Sequence, residues 1–181
     1  PGLINGIKFS LRDNYFQDIN SLSEFSKLKI YKKHKTQINK RNIFSKKNKT
    51  NICVHIRRKD YLFWPSKKYS AVLPLKWYQK NINFFKKKIS NAHFYLFSDD
   101  IDYLKKNFKG NNFTIINDNW LLEFVAISKC KHAIISASTF ALFAVLSKDK
   151  SKIIIAPKYW IGHKKKTWRP KNLIINNFIY N

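Results

Sequence analysis

The sequence predicts an α/β domain of Rossmann-like type, a parallel sheet covered by helices on both faces. Two observations carry that expectation. From residue 52 onward, short β-branched apolar runs alternate with longer segments of helical period. The short runs are also apolar almost throughout, without an alternating polar face, as in strands buried on both sides. A third observation concerns ligands: polar residues gather just after several of these runs, at the edge where such sheets bind them.

The elements follow in order. ICVHI (52–56) is the first strand. LPLKWYQKNINFFKKKIS (73–90) is a helix with Pro74 in its first turn, where a missing N–H costs nothing. Its Leu75, Tyr78, Ile82, Phe85 and Ile89 recur at steps of three and four and form one apolar face. HFYLF (93–97) is the second strand, and IDYLKKNF (101–108) a short helix ending before Gly110. FTII (113–116) is the third strand and NWLLEFVAISKCK (119–131) a helix. HAIIS (132–136) is the fourth strand, STFALFAVLS (138–147) a buried helix, and KIIIAP (152–157) the fifth strand. No internal repeat is seen. Upstream lie polar turns, a short amphipathic segment from Ser21 to Lys29, and a lysine-crowded run at 32–51. A boundary is expected near residue 48. Residues 1–48 would end in a basic linker, and residues 49–181 would form a Rossmann-like domain.

The chain has 181 residues, 44% of them hydrophobic, enough for a substantial core. Its formal charge of +26 admits a nucleic acid, an acidic membrane or an anionic ligand as partner. Lys, Asn, Ile, Phe and Tyr are all abundant, so the charge is read as a compositional bias spread over every segment, not as one patch. Most aromatics follow the apolar phase of helices and strands, which argues against a stacking surface for specific nucleic-acid binding. Cys53 and Cys130 fall in apolar patterns and read as buried thiols of a reducing compartment. No charged-then-apolar leader opens the sequence, and the longest apolar stretch (132–147) is too short to span a bilayer. A cytoplasmic protein is expected, with lysines suited to peripheral contact at an acidic inner membrane face. The five His and two Cys are scattered, so neither a metal nor another cofactor is expected.

The polar clusters are specific. Arg57, Arg58 and Asp60 follow the first strand, with His55 near its end. Ser98, Asp99 and Asp100 follow the second, and Ser138 and Thr139 open a helix after the fourth. Two of only five arginines in this lysine-rich chain are adjacent here. An arginine grips phosphate oxygens through a planar fork, whereas lysine is a point charge. A helix start rich in hydroxyls also suits an anion. The carboxylates of Asp99 and Asp100 would orient the arginines or a ribose. Each piece alone is more simply a salt bridge or a helix cap; their shared edge points to a phosphate.

HIRRKDY (55–61) resembles the H-x-R-R-x-D-Y motif of the α-1,2-fucosyltransferases, inverting enzymes that use GDP-fucose. LFSDDIDYL resembles their second motif, SKCKHAIISASTFALFAVL their third, IIIAPKYW the strand that follows, and NYFQD (14–18) an upstream stretch. Lys59 stands where the family has Gly, Ala137 replaces an Asn, Ala141, Leu142 and Phe143 replace Ser-Trp-Trp, and Glu123 an Asp. The family's glycine-rich turn is absent. The resemblance implies the C-terminal domain of a two-domain GT-B enzyme, with a nucleotide-sugar donor and a glycan acceptor as partners: residues 1–48 would be the tail of the N-terminal, acceptor-side domain and residues 49–181 the nucleotide-sugar-binding domain. It implies that Arg57, Arg58, Ser138, Thr139 and Phe140 hold the GDP diphosphate, with Asp99 and Asp100 alongside and Asp60 in the catalytic group, and that His55 and Glu123 lie near the nucleoside. Arg58→Lys is expected to weaken GDP binding, and Arg57→Lys equally or less. A polyanion-binding domain or an inactive remnant is the alternative. The base that accepts the acceptor's proton is not singled out.

Overall fold

The computed structural model describes residues 3–4, 7–8, 43–44, 46, 48–146, 151–160, 166, 175 and 178–181. The segment from Ser21 to Lys29, the NYFQD stretch and most of the basic run at 32–51 lie outside these residues. Near the N-terminus, β1 (Leu3–Ile4) and β2 (Ile7–Lys8) pair antiparallel.

The main sheet has six strands: β3 (Thr50–Ile56), β4 (Ala92–Ser98), β5 (Phe113–Ile115), β6 (His132–Ile135), β7 (Ile154–Ala156) and β8 (Phe178–Tyr180). Their spatial order is β5-β4-β3-β6-β7-β8, and every pair is parallel. The chain thus starts in the middle, builds to one edge, crosses back and builds to the other, which is the doubly wound plan. The reversal falls between β3 and β6, in register from Ile52↔His132 to His55↔Ile135. The expected strands and helices are all present, with ends shifted by up to two residues. The strand β8 was not expected. It is three residues long, has one buried side chain and sits at the sheet edge among asparagines, too short to show a period.

Among the described residues four α-helices cover the sheet: α1 (Leu75–Lys88), α2 (Ile101–Asn107), α3 (Trp120–Lys129) and α4 (Thr139–Val145). Strand alternation divides the core. Ile52, Val54, Ile56, Phe94 and Leu96 pack with Tyr78, Ile82 and Phe85 of α1 and Leu104 of α2. Cys53, Tyr95, Phe97, Ala133 and Ile135 pack with Leu122 and Val125 of α3 and Leu142 and Val145 of α4. Pro74 occupies the cap position of α1. Asp100, Asn119 and Ser138 cap the other three helices with side-chain oxygens that accept from Tyr103 N, Leu122 N and Ala141 N. Gly110 carries φ +105°, which lets the chain turn from α2 into β5 without a Cβ penalty.

Cys53 and Cys130 are buried and free, and burial pushes both thiols up, Cys130 to about 12. No helix among the described residues is long and apolar enough to cross a membrane. The expectation that lysine builds no single patch does not hold for these helices. α1 carries Lys76, Lys80, Lys86, Lys87 and Lys88 with no acid, and α2 adds Lys105 and Lys106 against Asp102. The opposite layer has only Glu123 and Lys129 on α3 and no charge on α4.

Candidate functional site

The strand ends flanking the reversal bring the sequence-predicted clusters together. β3 delivers His55, Arg57 and Arg58, β4 delivers Asp99 and Asp100, and β6 leads into Ser136, Ala137 and the start of α4. Ser136 ties two of them. Its Oγ lies 2.9 Å from His55 Nδ1 and accepts the Arg57 amide at 3.1 Å. Its own amide donates to the His55 carbonyl at 3.1 Å. His55 is buried, and burial together with the Arg57 charge pulls its imidazole down to about 3, so the ring is neutral at physiological pH. It faces Phe140 of α4, 6.0 Å between ring centres, and Phe140 meets Phe124 of α3 at 5.5 Å.

Asp99 fixes the loop after β3. One carboxylate oxygen accepts the Arg58 amide at 2.9 Å, the other the Lys59 amide at 3.1 Å, with Arg57 Nε at 3.4 Å. Asp100 caps α2 through Tyr103 N and accepts Arg58 Nε at 2.9 Å. Burial works against the Asp100 anion, but the Tyr103 amide and the Arg58 bond and charge outweigh it and hold the carboxyl below its usual range. Ser98 closes this corner, donating to the Ile56 carbonyl at 2.7 Å and accepting the Asp100 amide at 3.0 Å. Capping and arginine orientation, alternatives at the sequence level, are both performed by Asp100. Asp99 orients the arginines; no ribose contact is needed to account for it.

The two arginines go separate ways. Successive residues on extended backbone point to opposite faces. Arg58 turns to the α2 side, where its guanidinium lies 3.8 Å over the Tyr103 ring, and it is only 21% exposed. Arg57 stays near enough to His55 for its charge to act on that ring, and is 40% exposed. Its Nε and Nη2 bond the two oxygens of Asp60 at 2.9 and 3.0 Å, and Asp60 is itself 53% exposed. Burial disfavours the Arg57 cation, but the bond to Asp60 and the charges of Asp99 and Asp60 prevail and raise it further.

Ser138 and Thr139 begin α4 at the same rim, with the Ala137 carbonyl just before them accepting from Tyr61 OH. Glu123, in the first turn of α3, stands slightly apart. It is half-buried and accepts the Asp118 amide at 3.2 Å, and burial, helped by the Asp118 charge, raises its carboxyl. Its neighbour Phe124 links it to Phe140. Ser136 and Tyr103 were missed as site residues. A lone serine after a strand carries no signal, and Tyr103 matters only as the surface beneath Arg58. No group of three His, Cys, Asp or Glu fit to hold a metal occurs among the described residues.

The family model for glycosyl transferase family 11 matches residues 9–180. The chain belongs to that family. Two curated relatives from Escherichia coli are each 29% identical: an O-antigen biosynthesis glycosyltransferase, WbnK, over 127 residues (66% of this chain, 42% of the relative), and an alpha-1,2-colitosyltransferase over 124 residues (64% and 42%). This family 11 chain therefore spans less than half the length of the curated relatives it matches. A solved structure of NodZ alpha-1,6-fucosyltransferase soaked with GDP-fucose aligns with a TM-score of 0.42 at 14% identity, covering 63% of this chain and 41% of that one. The family 11 chain has the expected Rossmann-like fold in its own parallel six-stranded sheet.

Proposed function

We propose that this domain holds the GDP moiety of a sugar donor, fucose before others, as the C-terminal half of a GT-B enzyme. The complete protein would then transfer that sugar, with inversion, to a glycan hydroxyl, O2 of a galactoside in the first instance. The observation that carries the reading is the meeting of Arg57, Arg58, Asp99 and Ser136 at the reversal between β3 and β6. As the bond from sugar C1 to the phosphate oxygen breaks, negative charge grows on the β-phosphate. A cation already fixed beside it stabilises that charge when it forms, without reorganisation. Arg57 supplies the cation, with Asp60 as the partner it leaves. His55 and Glu123 take the nucleoside side, where a carboxylate suits the paired N–H donors of guanine. The name of one relative adds colitose as a second sugar to test.

The test is a thermal-shift and calorimetric comparison of GDP, ADP, UDP and a short oligonucleotide at low and high salt. Guanine selectivity that survives salt is the expected result. Equal, salt-erased responses to all four would point to a general polyanion binder instead. GDP-fucose and GDP-colitose then rank the donors. Transfer by the 181-residue chain alone should be slight, because both reactants must be held in one cleft.

A further inference from the structure

We infer that the α1–α2 face of this domain is a docking surface for an anionic lipid bilayer. On α1 the outward residues Lys76, Lys80, Phe84 and Lys87 follow one another at steps of four, four and three, so they form a single stripe down a 14-residue helix. Lys86 and Lys88 flank it. Lys105 and Lys106 of α2, with Lys109 just beyond, continue the positive charge on the same side of the sheet, since both helices pack on the same core layer. None of these eight lysines is ion-paired with a described carboxylate.

The arrangement is unfavourable for an isolated helix. Lys76 sits in the first turn of α1, where the helix dipole disfavours a cation. Lys76 and Lys80 repel across one turn, and α1 has no acid to relieve them. An external anionic surface removes both penalties. The chemistry favours lipid over nucleic acid. The eight cations are all lysine, point charges without the fork that reads phosphates in pairs or base edges. Among them is one exposed aromatic, Phe84, 38% exposed with Lys88 Nζ 5.8 Å from its ring centre. A ring that can enter the interface, ringed by lysines whose stems run alongside it, is the pattern of an interfacial helix. Docked by this flank, the domain keeps the rim at the strand ends clear of the membrane, so nucleotide binding and membrane binding are independent.

The experiment is co-sedimentation of the 181-residue chain with vesicles of phosphatidylcholine, with and without phosphatidylglycerol. Anionic vesicles should capture the chain and zwitterionic ones should not. Near such a surface each lysine is worth roughly fivefold in partitioning. Combining Lys76→Glu, Lys80→Glu and Lys87→Glu should therefore lower capture by about a hundredfold or more. Phe84→Ser should lower it severalfold in a part that salt does not screen. The charge-matched control, Lys46→Glu with Lys49→Glu and Lys129→Glu, lies on the Tyr95 and α3 side of the sheet, opposite this face, and should lose far less. All variants should keep the GDP response of the parent. Equal loss in the control would show that net charge alone binds. Capture by duplex DNA but not by vesicles would assign the face to nucleic acid, and no capture at all would also overturn the inference.

Discussion

Replacing Arg57 by lysine should damage diphosphate binding more than replacing Arg58, the reverse of the order expected from the sequence. The structure supplies the magnitude. Arg57 is held by Asp60 in a pair with both side chains about half exposed, and such pairs are worth about 0–1 kcal/mol. Exchanging Asp60 for a phosphate therefore costs little. Hydrogen bonds to charged groups are worth about 1.5–3 kcal/mol. Lysine keeps the charge and loses the second, parallel bond. GDP affinity should then fall roughly tenfold to a hundredfold, at about 1.4 kcal/mol per factor of ten. GMP, which lacks the β-phosphate, should lose much less. Arg58 is built in differently, stacked on Tyr103 and bonded to the Asp100 cap. Arg58→Lys should give up a cation–π contact of about 0.5–1 kcal/mol and show it chiefly as a Tm lowered by roughly 1–4 °C. Calorimetric titration of GDP and GMP into both variants, with a melting curve for each, separates the cases. Equal losses for the two nucleotides, or a larger GDP loss at Arg58 than at Arg57, would refute the division of labour.

Two further expectations concern pH. The Asp100 carboxyl lies below its ordinary 3.8 in the folded chain, so its contribution to stability is complete above that pH and disappears as pH falls through the folded value. Asp100→Asn, which keeps a capping oxygen but loses the charge on Arg58, should melt lower than the parent by a constant amount between about pH 5 and 7, and the gap should close in stronger acid; a gap that widens on acidification would contradict the assignment. His55 takes up a proton in the unfolded chain near its ordinary 6.5 but only at about 3 when folded, so it destabilises the fold increasingly as pH drops from 6.5 toward 3. Its ring resonances should show no titration between about pH 5 and 8, and a midpoint near neutrality would mean that the ring is more open to water than its 6% exposure.

The alternation of strands and helices was legible because each element buries a face of its own period: Tyr78, Ile82 and Phe85 mark α1, and the apolar runs at 52–56 and 93–97 mark central strands. The gathering of residues 57–60, 98–100 and 137–140 at one edge followed from parallel strands alone, since every strand of such a sheet ends on the same side. The boundary proposed near residue 48 precedes β3 by two residues, but the segment before it is mostly outside the described residues. Ser136 was not legible, because a serine after a strand is common and only the register of β6 against β3 brings it to His55. The division of the arginine pair was legible in part. Adjacent residues leaving a strand must diverge, and right-handed crossovers put α1 and α2 on one face and α3 and α4 on the other. The sequence carried no sign that Tyr103 and Asp100 would engage one arginine so fully. That engagement has a consequence for the site. Arg58, Asp99 and Asp100 fix the loop through its backbone and through α2, so Arg57 emerges at a set place although its own side chain is held chiefly by an exposed carboxylate. A rigid root with an exchangeable partner is what an arginine needs in order to leave one anion for another without the loop moving.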